Sequence, residues 1–389
     1  MAYDSLISRF SVFLFTLASA AGWSGSLPEG VELHRYRLAT PNHVHVLSVS
    51  RSTGLDLILG FPEKRRNWEN RQRTSEIADL YNQLPDMEVI AAVNCSHFNA
   101  ENNWLPGPLA SDSNLIRFPT AQIDSLALAD EGEYRVNQTL SLTEAVVNFP
   151  EGRSLPIDQL NDDRRADSLV LYTPHWGGET GTVFQGTEII VENLDSPLCA
   201  GKKIRGNVTA IRSATDSVSN AIPPDGLVLS ARSGHQIGRM VHPGDEVSFY
   251  FEFSDPTFHR AQLLIGAKGW LLDGGDVDSG RWAYLPEQFT DQRHPRTILA
   301  WNASRVFLVV IDGRSEMSVG MTLSEAAEFL KGTLGAQGAV NLDGGGSTTL
   351  VVGGEVLNDP SDLTGERPVG NALLLVRRNS GQDDLESAP

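Results

Sequence analysis

The chain has 389 residues, with 49 acidic against 31 basic side chains and a formal net charge of -18. That balance argues against a nucleic acid or an anionic membrane surface reached by charge attraction, and it leaves the fold open. Length alone allows two or three domains, so the count has to come from how the chain is organised.

In chain order, the first feature is the apolar run FSVFLFTLASAAG, which follows Arg9 and ends in the small-residue pattern Ala18-Ser19-Ala20. This is the layout of a secretory leader over residues 1–22, with a short anchor or a buried first helix as the alternatives. No later segment reaches the roughly 18 unbroken apolar residues of a membrane span. The mature chain is therefore expected in a secreted, periplasmic or secretory-lumen setting, without stable membrane insertion.

VELHRYRL and HVHVLSVS alternate as strands, and LDLILGF is a short apolar run of the same kind. His43 and His45 share one strand face; with no third ligand nearby, a solvated face is the plainer reading than a metal pair. TSEIADLYNQL predicts a helix with Thr74 or Ser75 as N-cap, and EVIAAVN predicts a buried strand ending at Asn94. SLALAD, SLVLYTP, GTEIIVEN, NVTAIR, DGLVLSA and the cleanly alternating EVSFYFEF make the middle of the chain rich in β signals. In the last third, SRVFLVVIDGR predicts a central strand and TLSEAAEFLKGTLG a helix opened by a capping box from Thr322 to Glu325. GAVNL, STTLVV, EVLN and ALLLV predict four more strands, and the polar residues 378–389 predict a disordered tail. No linker long enough to separate domains is visible. The expectation is one large α+β domain over residues 27–377, built on a twisted, mostly antiparallel sheet with a few packed helices.

Two cysteines, Cys95 and Cys199, allow one disulfide or two buried thiols. Sequons begin at Asn94, Asn137, Asn207 and Asn302, and they matter only in an organism that glycosylates exported chains. DGGDVDSG clusters Asp273, Asp276 and Asp278, an oxygen set suited to calcium. It lacks the EF-hand spacing and a distal glutamate, so a solvated acidic loop is the plainer reading and no cofactor is certain. Trp104, Trp176, Trp270 and Trp282 lie near glycine or proline, where sugar-stacking rings occur, with core packing as the default.

The stretch VNLDGGGSTTLVV places Asp343 and three consecutive glycines, Gly344, Gly345 and Gly346, between two apolar runs. Such a run is costly in backbone entropy wherever an ordinary turn would serve. Successive glycine amides after a strand form an anion-binding concavity, to which Ser347, Thr348 and Thr349 add hydroxyls. No lysine follows, as a nucleotide-binding loop of the Walker type would need, and no Gly-x-Ser-x-Gly elbow is present. HPRTILAW sets Arg296 at the start of a strand, and VVIDGR sets Asp312 and Arg314 just past the end of another. Carboxylates and guanidiniums beside an anion nest suit a phosphoester or sugar-phosphate site; plain surface ion pairs are the competing account.

The ordered motifs AVNCSHFN, LPGPLASDSNLI, HPRTILAW, the block from Val306 to Val352, and ERPVGNALLLV resemble the phosphodiester glycosidase family over roughly residues 30–377. The resemblance implies hydrolysis of a sugar joined through its anomeric carbon to phosphate. Matching positions are Asn94 and Phe98, Arg296 and Thr297, Asp312 to Arg314, Gly320 and Met321, and Asn341 to Thr348. Cys95 stands where the family usually has glycine, and His97 where an aromatic is frequent. On this reading Asp343 is the base or nucleophile and Asp312 the second carboxylate. Arg296 and Arg314 bind phosphate oxygens, Gly344 to Thr348 complete the cradle, and Asn94 holds a sugar hydroxyl or orients a carboxylate. The competing reading is an exported polysaccharide-associated protein that binds glycan without cleaving it.

Overall fold

The computed structural model describes residues 26–63, 70–99, 101, 105–119, 123–129, 132–165, 167–182, 185–214, 220–232 and 236–378, with the strand Val12–Phe15. Apart from that strand the expected leader lies outside the described residues, as do Trp104 and the tail beyond Arg378.

The described chain packs as two compact units where the sequence predicted one domain. One comprises residues up to Leu57, Arg73–Cys95 and those from Lys268 on; the other comprises Ile58–Gln72 and Ser96–Ala267. The backbone passes from unit to unit at 57/58, 72/73, 95/96 and 267/268. The first passage falls inside the strand Asp56–Gly60, and the last directly follows the strand Leu263–Ala267. A boundary carried within or against strands leaves no flexible linker for a sequence reader to find.

In the first unit a sheet runs in the order Val12–Phe15, Val31–Leu38, Asn42–Ser50, Arg305–Ile311, Arg296–Trp301, Gly338–Asn341, Trp270–Leu272, with every pairing antiparallel. The amphipathic helix Leu323–Leu334 buries Leu323, Ala326, Ala327, Phe329 and Leu330 in a core shared with Val44, Val46, Ile298, Val309 and Ile311. Its capping box forms as the sequence predicts: Glu325 N donates to Thr322 Oγ1 at 3.1 Å and Thr322 N to Glu325 Oε2 at 3.0 Å. The earlier helix, Thr74–Asn82, takes Arg73 as its N-cap, and Glu76 closes on the Arg73 amide at 2.9 Å. A second, five-stranded sheet orders Glu355–Val356, Leu350–Val352, Met87–Asn94, Ala372–Arg378 and Asp56–Gly60; its first three pairings are antiparallel, and Met87–Asn94 lies between two neighbours. The predicted strand STTLVV begins only at Leu350, because Gly345–Ser347 form a turn of 3-10 helix.

The second unit holds an eight-stranded and a five-stranded sheet, antiparallel except for the Gln159–Leu160 pairing with Leu169–Tyr172. Its short strands Leu109–Ser111, Asn114–Arg117, Ser154–Pro156 and Leu263–Ala267 escaped the sequence reading. The protein is thus largely β in antiparallel sheets, and the α+β expectation is met only in part. Cys95 and Cys199 are both buried, and they belong to different units. The Asn94 sequon is fully buried.

The core of the second unit contains a carboxylate. Glu188 is fully buried on the strand Gly186–Glu192. It accepts from Asn220 Nδ2 at 2.6 Å, Ser230 Oγ at 2.8 Å, and Thr180 and Thr182 Oγ1 at 3.2 Å each. Arg164 Nη1 donates to the same Ser230 hydroxyl at 2.9 Å. Glu188→Ala would leave these donors buried without an acceptor. It is expected to lower the unfolding free energy by about 3 kcal/mol or more in urea denaturation.

Candidate functional site

The strand Met87–Asn94 ends on a fully buried asparagine. Asn94 Nδ2 donates to the Asp343 carbonyl at 2.6 Å, while Oδ1 accepts from Thr297 Oγ1 at 2.7 Å and from Thr349 N at 3.1 Å. One amide therefore holds both ends of the glycine loop and ties it to the strand Arg296–Trp301. The Asp343 amide adds a bond to the Cys95 carbonyl at 2.9 Å. The Asn94 amide is thus committed to protein partners, one of them the backbone carbonyl of Asp343.

Why three glycines are needed follows from what approaches them. A Cβ on Gly344 would lie 2.8 Å from the Pro295 carbonyl oxygen. Gly345 has φ +64°, and a Cβ there would lie 2.9 Å from Arg314 Nη2. A Cβ on Gly346 would run into Asp362 and Arg367, whose bidentate pair closes at 2.7 and 2.9 Å. The loop is a floor on which side chains from two other loops rest directly against backbone.

Above that floor stands Arg314. It is exposed, adopts a left-handed φ of 62°, and has no ion pair or hydrogen bond among the described residues. A left-handed non-glycine residue carries strain of about 1–3 kcal/mol, and such strain clusters at functional positions. Ser347 and Thr348 are buried, and their hydroxyls have no partner among the described residues; the same holds for Asn341 Oδ1. Buried polar atoms nearly always find partners, so two orphans in the loop and a third at the end of the strand before it mark a place that suits a ligand. Asp343 is half-buried beside them, with Oδ2 shielded from solvent.

Asp312 has a different environment. Its Oδ2 lies 3.0 Å from His45 Nε2, and its Oδ1 accepts from Asn358 Nδ2 and Asp359 N at 3.1 Å each. The residue is 4% exposed, and both carboxylate oxygens are engaged. His45, expected on a solvated face, is buried against it. Burial and the positive charge of Arg37 lower the pKa of the neighbouring His43.

Arg296, expected on phosphate, has its guanidinium bonded to backbone carbonyls. It is buried, donates from Nε to Met321 O at 2.9 Å and from Nη2 to Phe289 O at 2.7 Å and Gln292 O at 3.2 Å, and lies over the Phe289 ring. Burial lowers its pKa to about 10. The Pro-Arg-Thr and Gly-Met-Thr motifs are therefore joined through the Met321 carbonyl as one structural element. Of the aspartates considered for calcium, two are engaged within their own loop: Asp273 pairs with Arg281 at 3.1 Å, and Asp278 caps Gly280 N at 2.9 Å, while Asp276 is exposed. No cluster of three or more His, Cys, Asp or Glu side chains able to hold a metal occurs among the described residues. Trp176 and Trp282 are core residues, while Trp270 is half-buried under Arg281. A cavity of about 400 Å³ in the second unit, lined by residues such as Asn114, His175, Asp195 and Asp225, contains none of the predicted site residues.

The sequence reading missed Asn358. Asn-Asp-Pro after a short strand reads as an ordinary turn, and nothing in it signals a bond to Asp312.

Residues 200–376 match the family model described as phosphodiester glycosidase, a span that includes the whole motif block from His294 to Val352. The chain is 29% identical over 215 residues to the N-acetylglucosamine-1-phosphodiester alpha-N-acetylglucosaminidase of Mus musculus, a match that covers 51% of this chain and 41% of the mouse protein. A hypothetical protein from Synechocystis has a similar structure, with TM-score 0.64 and 24% identity over 90% of this chain and 62% of its own. A Burkholderia pseudomallei K96243 protein described as exported is similar at TM-score 0.61 and 24% identity, covering 89% of this chain and 75% of its own. At that identity the two structures speak for the fold alone. The resemblance to the phosphodiester glycosidase family read from the motifs is thereby shown. No described helix is long and apolar enough to cross a membrane.

Two substitutions test how the loop is held. Asn94→Ala removes three hydrogen bonds and is expected to lower the unfolding free energy by about 3 kcal/mol. Gly346→Ala forces the Asp362–Arg367 pair off the loop, with an expected loss of about 1–3 kcal/mol. Urea denaturation reads both, and a loss under about 0.5 kcal/mol for either would place it among ordinary surface changes.

Proposed function

We propose that this protein hydrolyses the bond between the anomeric carbon of a sugar and a phosphodiester, releasing free sugar and a phosphomonoester. The observation that carries the reading is Arg314, a guanidinium with no described partner, resting on a glycine loop that presents Asp343 and the orphaned hydroxyls of Ser347 and Thr348. A phosphate oxygen meets the chemical requirement of each: negative charge for Arg314 and acceptors for the hydroxyls.

The reaction breaks the bond from anomeric carbon to phosphate oxygen, and the electron pair leaves with the phosphate. A phosphomonoester has a second pKa near 6, so departure needs little acid assistance. What remains is to stabilise positive charge at the anomeric carbon, hold the departing phosphate and deliver water. Asp343 serves as the base that takes a proton from water, or as the nucleophile that water later displaces. Asp312, with both oxygens engaged, is not the partner in that chemistry. N-acetylglucosamine is the first sugar to try, because the mouse relative's name specifies it. An exported or secretory-lumen location fits the apolar N-terminal run.

The test is release of free sugar from a panel of sugar-1-phosphodiesters that includes UDP-N-acetylglucosamine. Asp343→Asn is expected to abolish turnover, and Arg314→Ala to lower kcat/KM by about 10²–10³-fold. A chelator is expected to leave the rate unchanged, since Asp273 and Asp278 are engaged in their own loop. Full activity in folded Asp343→Asn would refute the assignment. Glycan binding without release from any substrate would favour the non-catalytic reading.

A further inference from the structure

We infer that His45 and Asn358 are positioning residues for the glycine loop, acting through Asp312 as the node that holds this loop and the Arg314 loop in register. The inference deepens the proposed function and rests on it for the chemistry, though not for the geometry.

A continuous line of hydrogen bonds carries it. His45 Nε2 lies 3.0 Å from Asp312 Oδ2, and Asp312 Oδ1 accepts from Asn358 Nδ2 at 3.1 Å. The second hydrogen on Asn358 Nδ2 goes to the Thr348 carbonyl at 3.0 Å, and Asn358 Oδ1 accepts from Leu350 N at 2.8 Å. Asn358 thus grips the backbone on either side of Thr349, whose own amide is held by Asn94. The orphaned hydroxyls of Ser347 and Thr348 depend for their direction on this clamp.

Asp312 is fastened to the other loop by its main chain. Its carbonyl accepts from Ser318 Oγ at 2.7 Å, and its amide donates to the His43 carbonyl at 3.0 Å. Ser318 Oγ also accepts from His43 N at 3.0 Å, and Ser315 N donates to the Ser318 carbonyl at 3.0 Å. Arg314 lies between these anchors. One residue therefore sets the place of the guanidinium through its backbone and the place of the hydroxyls through its side chain.

His45 adds a mark of its own. Its Nδ1 is buried without a partner among the described residues. That is an unfavourable arrangement for a residue kept for stability alone, since an unmatched buried polar atom is destabilising. It is consistent with a ring retained for the bond that Nε2 makes to Asp312.

The experiment compares the full chain with Asn358→Ala, Asn358→Ser, His45→Leu and His45→Gln by hydrogen-exchange mass spectrometry over residues 343–352, alongside hydrolysis kinetics. Asn358→Ala and His45→Leu are expected to speed exchange in this segment about tenfold, while the helix Leu323–Leu334 keeps its protection. Their kcat is expected to fall at least about tenfold with KM changed less, because the hydroxyls act on the departing phosphate. His45→Gln should recover most of both losses, since its amide can donate to Asp312; Asn358→Ser covers the case in which the alanine variant does not fold. Unchanged loop exchange in Asn358→Ala or Asn358→Ser overturns the inference, and so does exchange that rises equally across the unit. If the parent chain cleaves no phosphodiester, the proposed function falls while the exchange data still decide the positioning role.

Discussion

The amide of Asn94 is the interaction on which the candidate site depends. A segment with three consecutive glycines has little conformational preference of its own, so its shape must be imposed from outside. Asn94 does this from the end of a strand held on both sides, with Ala372–Arg378 on one flank and Leu350–Val352 on the other. It reaches the start of the loop at Asp343, its end at Thr349, and the neighbouring sheet at Thr297. A side chain with zero exposure and three short bonds is rigid, and it passes that rigidity to a backbone that lacks it.

Once the loop is pinned, its lack of side chains becomes the useful property. The Pro295 carbonyl, the Arg314 guanidinium and the Asp362–Arg367 pair all approach the backbone at distances a Cβ would forbid. The two aspartates of the motif block then separate by environment. Asp312 is saturated by His45, Asn358 and Asp359, while Asp343 lies half-buried in the loop itself. Identical side chains are thus given different surroundings.

Two places, one in each unit, contrast in their buried polarity. In the second, Glu188 meets donors from Thr180, Thr182, Asn220 and Ser230. In the first, Ser347 and Thr348 stay buried without described partners. A satisfied network specifies a core. An unsatisfied cluster beside an uncommitted guanidinium marks where the fold has given up some stability, and such places are usually functional.

Much was legible in the sequence alone. Periodicity placed the strands EVSFYFEF and VELHRYRL and the helix opened at Thr322, because local patterns of apolar residues and caps report local structure. The glycine run announced a close backbone approach, and the order of motifs announced a family. Only the tertiary structure decided where each charged residue lies and what it touches. Arg296 and Arg314 look alike in sequence, each at a strand end, yet one is buried under three carbonyls and the other stands exposed over the loop. Asn358 and His45 matter through partners 46 and 267 residues away in the chain. The division into two units was hidden because the chain passes from one to the other at or within its strands. Burial and partnership are set by contacts between distant segments, and no local pattern carries them.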